Sequence, residues 1–549
     1  MEKLQPKLFS VMKKYSKQQL VKDITAGFIV AIIALPLSIA LALASGATPE
    51  QGLYTAIVAG FVISFLGGSR VQIAGPTAAF ASIVAGIIAT NGFSGLVLAT
   101  VMAGIILILM GVFKLGSLIK FIPYTITTGF TSGIAVTIII GQIKDFLGLT
   151  FQNSPIETID KVKEIFVSIG TFNYQALIVG GISLAILILV PKVLKKIPAS
   201  LIAILVAALL VKFLNLDVLT IGDLYEISSA PPKPVIPEFS FETVKAVIPD
   251  AFTIAILAAV ESLLSCVVAD GMIGSRHNSN MELVAQGAGN ICSALFGGIP
   301  ATGAIARTAA NIKNGGRTPV AGMVHAVVLL VVLLVAMPLA SYIPMPAIAA
   351  ILFMVAYNMS EWREFVSIAK HSPKSDTLVL VTTFVLTIVF DLVVAICVGL
   401  VLSTLMFMKR MSDETNTYGW KEIDEADDAD NIGLKVVPEG VTVFEITGPI
   451  FFGAATKFLD SLSSADKHKK VVVLRMRSVP AIDATGIHAF ESLIERFEKK
   501  GKRLVISHAN EQPLKVMKKS GIYKKIGKEN FCPNIDAALK RAEEIFKTL

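Results

Sequence analysis

The sequence predicts a polytopic α-helical membrane protein with a small α/β domain at its C-terminal end. Apolar residues make up 54% of the chain and charged residues 16%, whereas soluble domains have about 45–50% and about 25%. The charge is also uneven, because 34 of the 115 residues from 435 to 549 are charged, against 56 of the preceding 434. The third observation is a succession of apolar segments in the first 410 residues, most of them near the length of roughly 20 residues that crosses a bilayer. Together these features exclude a single soluble globule, a disordered chain and a disulfide-built secreted domain.

The N-terminal segment, residues 1–22, is predicted to lie in the cytoplasm. It is rich in lysine just before the first apolar segment, and positive charge beside a span marks the cytoplasmic side. That span is too long for a signal peptide, so we place the chain in the inner (plasma) membrane. The net charge of +8 is not gathered in one stripe, so we expect no nucleic-acid partner. The four scattered cysteines suggest neither a disulfide framework nor a metal site.

About fourteen membrane spans are predicted from apolar length. The clear candidates lie near residues 24–44, 51–67, 97–113, 124–142, 174–190, 199–214, 250–270, 319–340, 345–358, 376–390 and 392–408. Shorter runs lie near residues 76–90, 283–297 and 302–312. An even number of spans returns the C-terminus to the cytoplasm. The predicted organisation is a cytoplasmic segment 1–22, a transmembrane domain 23–410 with repeats at about 23–215 and 248–410, an acidic linker 411–434 and a soluble domain 435–549.

Two short Gly/Pro-rich stretches, residues 67–78 and 297–304, each lead into an unusually short apolar run. We interpret each as extended backbone that feeds a half-helix, and the alternative is an ordinary polar loop. Non-helical backbone survives at membrane depth only when it is buried in protein or lines a wet cavity.

Internal repetition favours the half-helix interpretation. The spans that open at Asp23 and Asp250 reach paired glycines 44 and 47 residues later, and the Ile-Pro pairs that end at Pro123 and Pro344 lie 221 positions apart. The chain therefore reads as two halves of seven helices, and an odd number makes the halves inverted in the membrane. Paired, interrupted short segments in inverted halves are the best sequence pointer to the binding site of a transporter.

The chemistry is expected where the two half-helices meet near the membrane midplane. Each helix N-terminus offers unpaired N–H groups and a partial positive charge, so the gap between them attracts an anion. The predicted anion-binding residues are Gln72, Pro76, Thr77, Ala78, Thr302, Gly303, Ala304 and Arg307. An enzyme is not expected, because no nucleophile–base pair or metal cluster is recognisable, and no cofactor is predicted.

Two charged residues within apolar segments are assigned roles. Arg307 lies within the second half-helix, where a charge is costly and marks a functional residue by default; the alternative is a structural partner for a buried carboxylate. Glu261 lies inside the apolar segment 250–270, and an unpaired carboxylate in hydrocarbon is suited to carrying a proton. The alternative for Glu261 is a permanent ion pair with Arg307. His325 is interpreted as a satisfied polar residue rather than as a proton relay.

The C-terminal segment alternates predicted strands, at 441–446, 471–474 and 504–506, with amphipathic helices, at 486–500, 511–520 and 535–547. It contains no Walker loop, GxGxxG motif or nucleophile elbow. We expect a regulatory or binding role for this domain.

The chain resembles the SulP anion-permease family over almost its whole length. The motifs that carry the resemblance are Gly67-Gly68, Gln72–Thr77, Arg276–Leu283, Phe296–Thr308 and Gly315–Thr318, and the tail is similar to a STAS domain at Ile482–Gly486. The resemblance implies two intertwined inverted repeats of seven helices, with a core bundle that holds the anion, a gate bundle that makes homodimer contacts, and an elevator-like movement of one against the other. Family members move sulfate, bicarbonate, chloride or C4-dicarboxylates, with protons or sodium or in exchange.

Two residues narrow what the resemblance implies. Glu261 stands where the sodium-coupled cyanobacterial bicarbonate branch has Asp, and that branch lacks an arginine at the position of Arg307. We therefore expect protons rather than sodium as the coupling ion, and sulfate or a C4-dicarboxylate as the substrate. The alternatives are a bicarbonate or chloride transporter or exchanger, a nucleobase permease, and a passive anion channel or membrane scaffold for protein partners of the STAS domain.

Overall fold

The structure is a computed structural model, and it divides into two compact units. We call residues 1–400 the membrane unit and residues 401–549 the C-terminal unit. The residues that it describes are 4–13, 15–117, 123–153, 155–193, 198–235, 240–390, 392–414, 416–419, 436–451 and 469–549.

The first half of the membrane unit consists of eight described helices. They are α1 (Lys7–Met12), α2 (Lys17–Ala44), α3 (Pro49–Leu66), α4 (Ala81–Val112), α5 (Tyr124–Leu147), α6 (Thr158–Val167), α7 (Tyr174–Val193) and α8 (Ala199–Leu214). Helix α4 covers the two apolar runs near 76–90 and 97–113, because it is two helices joined at Gly92. Gly92 has a φ of 68°, a value that glycine adopts without steric cost.

The second half repeats this pattern after the short helix α9 (Ile221–Leu224). Its helices are α10 (Phe241–Ile273), α11 (Ser279–Leu295), α12 (Ile305–Lys313), α13 (Val320–Ala336), α14 (Met345–Met359), α15 (Trp362–His371), α16 (Lys374–Val389) and α17 (Leu392–Glu414). Pro123 and Pro344 are the N-cap residues of α5 and α14. The two Ile-Pro pairs therefore precede corresponding helices of the two halves, although Ile122 lies outside the described residues.

Eight of the described helices are long and apolar enough to cross a membrane, and α8 is a shorter apolar helix. The number falls below the predicted fourteen for a structural reason. Helix α4 counts once although it bends at Gly92, and five further predicted spans are helices of only 9–17 residues, namely α8, α11, α12, α14 and α16. Spans of this kind are recognised by their place in the repeat rather than by their own length. The chain is a multi-pass membrane protein.

The helices of the membrane unit form two packed groups. Helices α2, α3 and α4 pack against α10, α11, α12 and α13, while α5, α7 and α8 pack against α14 and α16. Each group takes helices from both halves, so the two halves are interleaved. These groups correspond to the predicted core and gate bundles.

The C-terminal unit contains a five-stranded sheet of order β3-β4-β5-β6-β7. Its strands are β3 (Asn416–Gly419), β4 (Val441–Thr447), β5 (Val471–Ser478), β6 (Arg503–Ser507) and β7 (Phe531–Cys532), with β3 antiparallel to β4 and the others parallel. The helices among the described residues that follow β4 are α18 (Ala484–Lys499), α19 (Glu511–Ser520), α20 (Ile522–Ile526) and α21 (Ile535–Thr548). The three predicted strands and three predicted helices are all present.

Helices α18 and α21 cover opposite faces of this sheet. Phe490 and Leu493 of α18 lie in one buried apolar cluster, and Ala538 and Ala542 of α21 lie in another. Strand β3 falls within the segment predicted as an acidic linker, and residues 420–434 of that linker lie outside the described residues.

Candidate functional site

The two Gly/Pro-rich stretches meet as a pair of very short strands in the core group. We call residues 67–80 the first arm and residues 297–304 the second arm. Strand β1 (Ala74–Gly75) pairs antiparallel with β2 (Thr302–Gly303), and the backbone N–H of Ala304 donates to the carbonyl of Ile73 at 2.8 Å. Extended backbone in both arms is what the sequence predicts. Their pairing with each other is a new finding.

Each arm ends at a helix N-terminus, and the strand pair lies between the two. The first arm passes through a 3-10 turn at Ala78–Phe80 into α4, and the second passes directly into α12. Because the strands are antiparallel, the two helices begin at opposite ends of the strand pair. The first N–H groups of a helix have no intrahelical acceptor, and they carry part of the positive end of the helix dipole. Pro76, Thr77, Ala78, Gly303 and Ala304 are all buried at this junction.

Arg307 joins the second half-helix to the first arm. Its side chain is 3% exposed, and its Nη2 donates to the carbonyl oxygen of Pro76. Its Nη1 is buried without a hydrogen-bond partner among the described residues. The space that the guanidinium occupies exists because Gly75 has no side chain, since a methyl group there would press against Nη1.

Glu261 contacts the first arm from α10. The Thr77 hydroxyl donates to Glu261 Oε2 at 2.9 Å. Among the described residues, Glu261 and Arg307 do not form an ion pair. The permanent ion pair considered as the alternative role of Glu261 is therefore absent from this conformation. The Thr302 hydroxyl donates to the carbonyl of Ala258 at 3.1 Å. Both threonine protons are therefore used within the protein, whereas Arg307 Nη1 is not.

Gln72 lies in a buried hydrogen-bond network behind the strand pair rather than at the gap. Its Nε2 donates to Ser262 Oγ at 2.8 Å and to Glu282 Oε1 at 2.9 Å, and the residue is 5% exposed. Both protons of this amide are therefore used. In this structure the Gln72 amide supports the strand pair, and its role as an anion ligand stays a prediction.

The residues that hold the arms were missed by the sequence interpretation. The Glu282 carboxylate accepts the backbone N–H groups of Gly68 at 2.9 Å and Ser69 at 3.1 Å. Eight residues later on α11, the Asn290 side chain both donates to and accepts from the backbone of Ala301, at 2.8 Å each. Glu282, Gln286 and Asn290 recur at a spacing of four residues along one face of α11. That polar stripe is a signal in the sequence.

His325 departs from its interpretation as a satisfied polar residue. It is fully buried in α13, and neither ring nitrogen has a hydrogen-bond partner among the described residues.

The sequence profile of the sulfate permease family matches residues 20–383, and that of the STAS domain matches residues 434–538. The candidate sulfate transporter YvdB of Bacillus subtilis is 41% identical over 531 residues, which cover 95% of this chain and 98% of YvdB. The bicarbonate transporter BicA of Picosynechococcus is 34% identical over 543 residues, which cover 95% of this chain and 94% of BicA.

Solved structures share the fold. The overall structure of SLC26A9 matches with a TM-score of 0.85 at 20% identity, over 99% of this chain and 93% of that one. The transmembrane domain of a cyanobacterial BicA matches with a TM-score of 0.63 at 32% identity, over 70% of this chain and 99% of that one. The relatives are transporters and not enzymes. The paired arms, the interleaved halves and these matches together show that the chain belongs to the sulfate permease (SulP) family and ends in a STAS domain.

Proposed function

We propose that this protein is a secondary active transporter that couples the uptake of an anion to protons, with the anion held between the N-termini of α4 and α12. The observation that carries the proposal is the guanidinium of Arg307, whose Nη1 is buried between the two arms without a partner among the described residues. A buried charge without a counter-charge is strongly destabilising. An anion in the gap would supply both the missing charge and an acceptor for this donor.

The charge at the gap favours a divalent anion. Each helix N-terminus is equivalent to roughly half a positive charge and Arg307 adds one, so the gap offers roughly two positive charges. Sulfate or a C4-dicarboxylate therefore suits it, and YvdB is named for sulfate. Bicarbonate is the second candidate, because BicA is named for that anion and is 34% identical to this chain.

Glu261 provides the coupling to protons in this proposal. An ionised Glu261 carboxylate, attached to the first arm through Thr77, and a bound anion compete for the same positive charge. Protonation of Glu261 therefore favours anion binding, and by linkage a bound anion favours protonation. A movement of the core group against the gate group would then carry both across the membrane. We place the transporter in the plasma membrane as a homodimer, with both termini in the cytoplasm and the STAS domain available to protein partners.

Uptake into proteoliposomes tests the proposal. Labelled sulfate, fumarate and bicarbonate are compared with and without an inward proton gradient, for the wild type, Glu261→Gln and Glu242→Gln. Glu242 is the matched control, because it lies exposed in the first turn of the same helix.

We expect one anion to accumulate with the gradient in the wild type and in Glu242→Gln, and Glu261→Gln to lose that accumulation. Uptake that ignores the gradient in all three proteins would favour exchange or channel-like conduction and refute the role of Glu261.

A further inference from the structure

A second cationic site lies at the end of the membrane unit that carries the N-terminal segment. Two cavities of about 640 Å³ and 550 Å³ adjoin there and share Gln19 and Arg317. We call them the outer and the inner cavity. The outer cavity is lined by Gln19, Lys22, Thr25, Ile29, Lys313, Asn314, Gly315 and Arg317. Both volumes lie within the range of small-molecule sites, about 300–1,000 Å³.

The linings are positively charged. Lys22, Lys313 and Arg317 line the outer cavity, and Lys7, Lys13, Arg70 and Arg317 are among the residues that line the inner one. No aspartate or glutamate of the described residues lines either cavity. The nearby Asp23 is buried beneath them, where it accepts hydrogen bonds from Tyr15, Gln19 and Thr318.

Arg70 gives an independent indication of a ligand. Its Nε is buried without a hydrogen-bond partner among the described residues. Arginine binds phosphate groups through several N–H donors at once. An anion in the inner cavity would satisfy a donor that the described protein leaves unpaired.

The outer cavity changes from charged to uncharged along α2. Lys22, Thr25 and Ile29 line it at successive turns of the helix. The neighbouring side chains Val21, Ile24 and Phe28 on α2 are exposed apolar residues, so this part of the helix faces the bilayer. A free anion gains nothing from an apolar wall, whereas the acyl chain of a lipid can pack against it.

We propose that the outer cavity binds an anionic phospholipid, with its phosphate between Lys22, Lys313 and Arg317 and an acyl chain along Thr25 and Ile29. Basic pockets at the membrane boundary are suited to such headgroups. The site is separate from the anion gap, but Lys313 ends α12, while Arg70 of the first arm lines the adjoining inner cavity. A lipid in the outer cavity would therefore lie against the end of the second half-helix.

Native mass spectrometry of the delipidated full-length protein tests this site. Dioleoyl phosphatidylglycerol and dioleoyl phosphatidylcholine are titrated separately, with inorganic phosphate as a competitor. The test variant is Lys22→Gln/Lys313→Gln, and the control with the same change of charge is Lys192→Gln/Lys245→Gln. All four lysines are exposed, so we expect every variant to fold.

We expect phosphatidylglycerol to bind the wild type and the control more tightly than phosphatidylcholine. The test variant should bind it about thirty-fold more weakly, since each surface cation contributes about 1 kcal/mol. Equal binding of the two lipids, or wild-type binding by the test variant, would overturn the proposal. Displacement of the lipid by an equal concentration of inorganic phosphate would assign the site to a free anion and overturn the proposal of a lipid site.

Discussion

The missing side chain of Gly75 determines where the positive charge of Arg307 can lie. Gly75 is opposite Thr302 in the strand pair, and a methyl group in its place would press against Arg307 Nη1. Gly75 has no positive φ, so alanine fits the backbone and the conflict is with the guanidinium alone. We expect Gly75→Ala to move the guanidinium away from the anion gap.

The expected loss can be estimated from the single donor that is displaced. A hydrogen bond to a charged group contributes about 1.5–3 kcal/mol, which corresponds to an affinity about 10- to 150-fold weaker. The measurement is the KM for proton-driven anion uptake in proteoliposomes. Gly86→Ala is the control, because a methyl group at Gly86 of α4 meets no atom within 4 Å.

A double-mutant cycle tests whether Gly75→Ala acts through Arg307. If Gly75→Ala acts through Arg307, it should have little further effect in an Arg307→Gln background, because residues that act through one group are not additive. An equal loss in both backgrounds would show that the methyl group acts elsewhere. An unchanged KM in the wild-type background would show that Nη1 does not bind the anion.

Three further changes test the supports of the fold. Glu282→Ala leaves the buried N–H donors of the first arm unpaired at about 1–3 kcal/mol each, so the thermal midpoint of the purified protein should fall, and an unchanged midpoint would contradict the supporting role of α11. Arg475→Met leaves Glu445, its buried partner at 2.9 Å, without a counter-charge, at a cost of about 3–5 kcal/mol. Proteolysis of the C-terminal unit should accelerate, and adding Glu445→Leu should restore most of the resistance; no recovery would count against the ion pair. Asp23→Asn replaces the carboxylate that accepts a hydrogen bond from the Thr318 hydroxyl at 2.6 Å. Proteolytic cleavage near Thr318 should therefore become faster, and cleavage at the wild-type rate would show that this carboxylate is dispensable.

The parts of the fold that the sequence predicts are those with a local cause. Long apolar runs predict α5, α7 and α13, and alternating patterns predict the strands and helices of the C-terminal unit. The Gly/Pro content of the arms predicts their extended backbone. The sequence also separates the runs 76–90 and 97–113, and the bend at Gly92 lies between them.

The contacts of the site have no such local cause. The pairing of β1 with β2 joins residues 229 positions apart, and nothing within either arm indicates its partner. Gln72 is an example, because a polar residue at this place in the sequence could either bind the anion or support the strands. Its hydrogen bond to Glu282 of α11 depends on how the two halves pack, which the sequence of either segment does not show. The sequence shows the polar stripe on α11, but it does not show that these side chains bind the backbone of the two arms.

The pairing of the two arms also imposes an order on biogenesis. The 229 residues that follow Ala74 up to and including Gly303 take roughly 11–46 s to synthesise at about 5–20 residues per second. During that interval the first arm has no strand partner, and unpaired backbone is not tolerated in hydrocarbon. The arm must therefore wait in a wet or protein-lined environment while the ribosome completes the second half. The strand pair between the two arms can therefore form only late, after β2 has been synthesised.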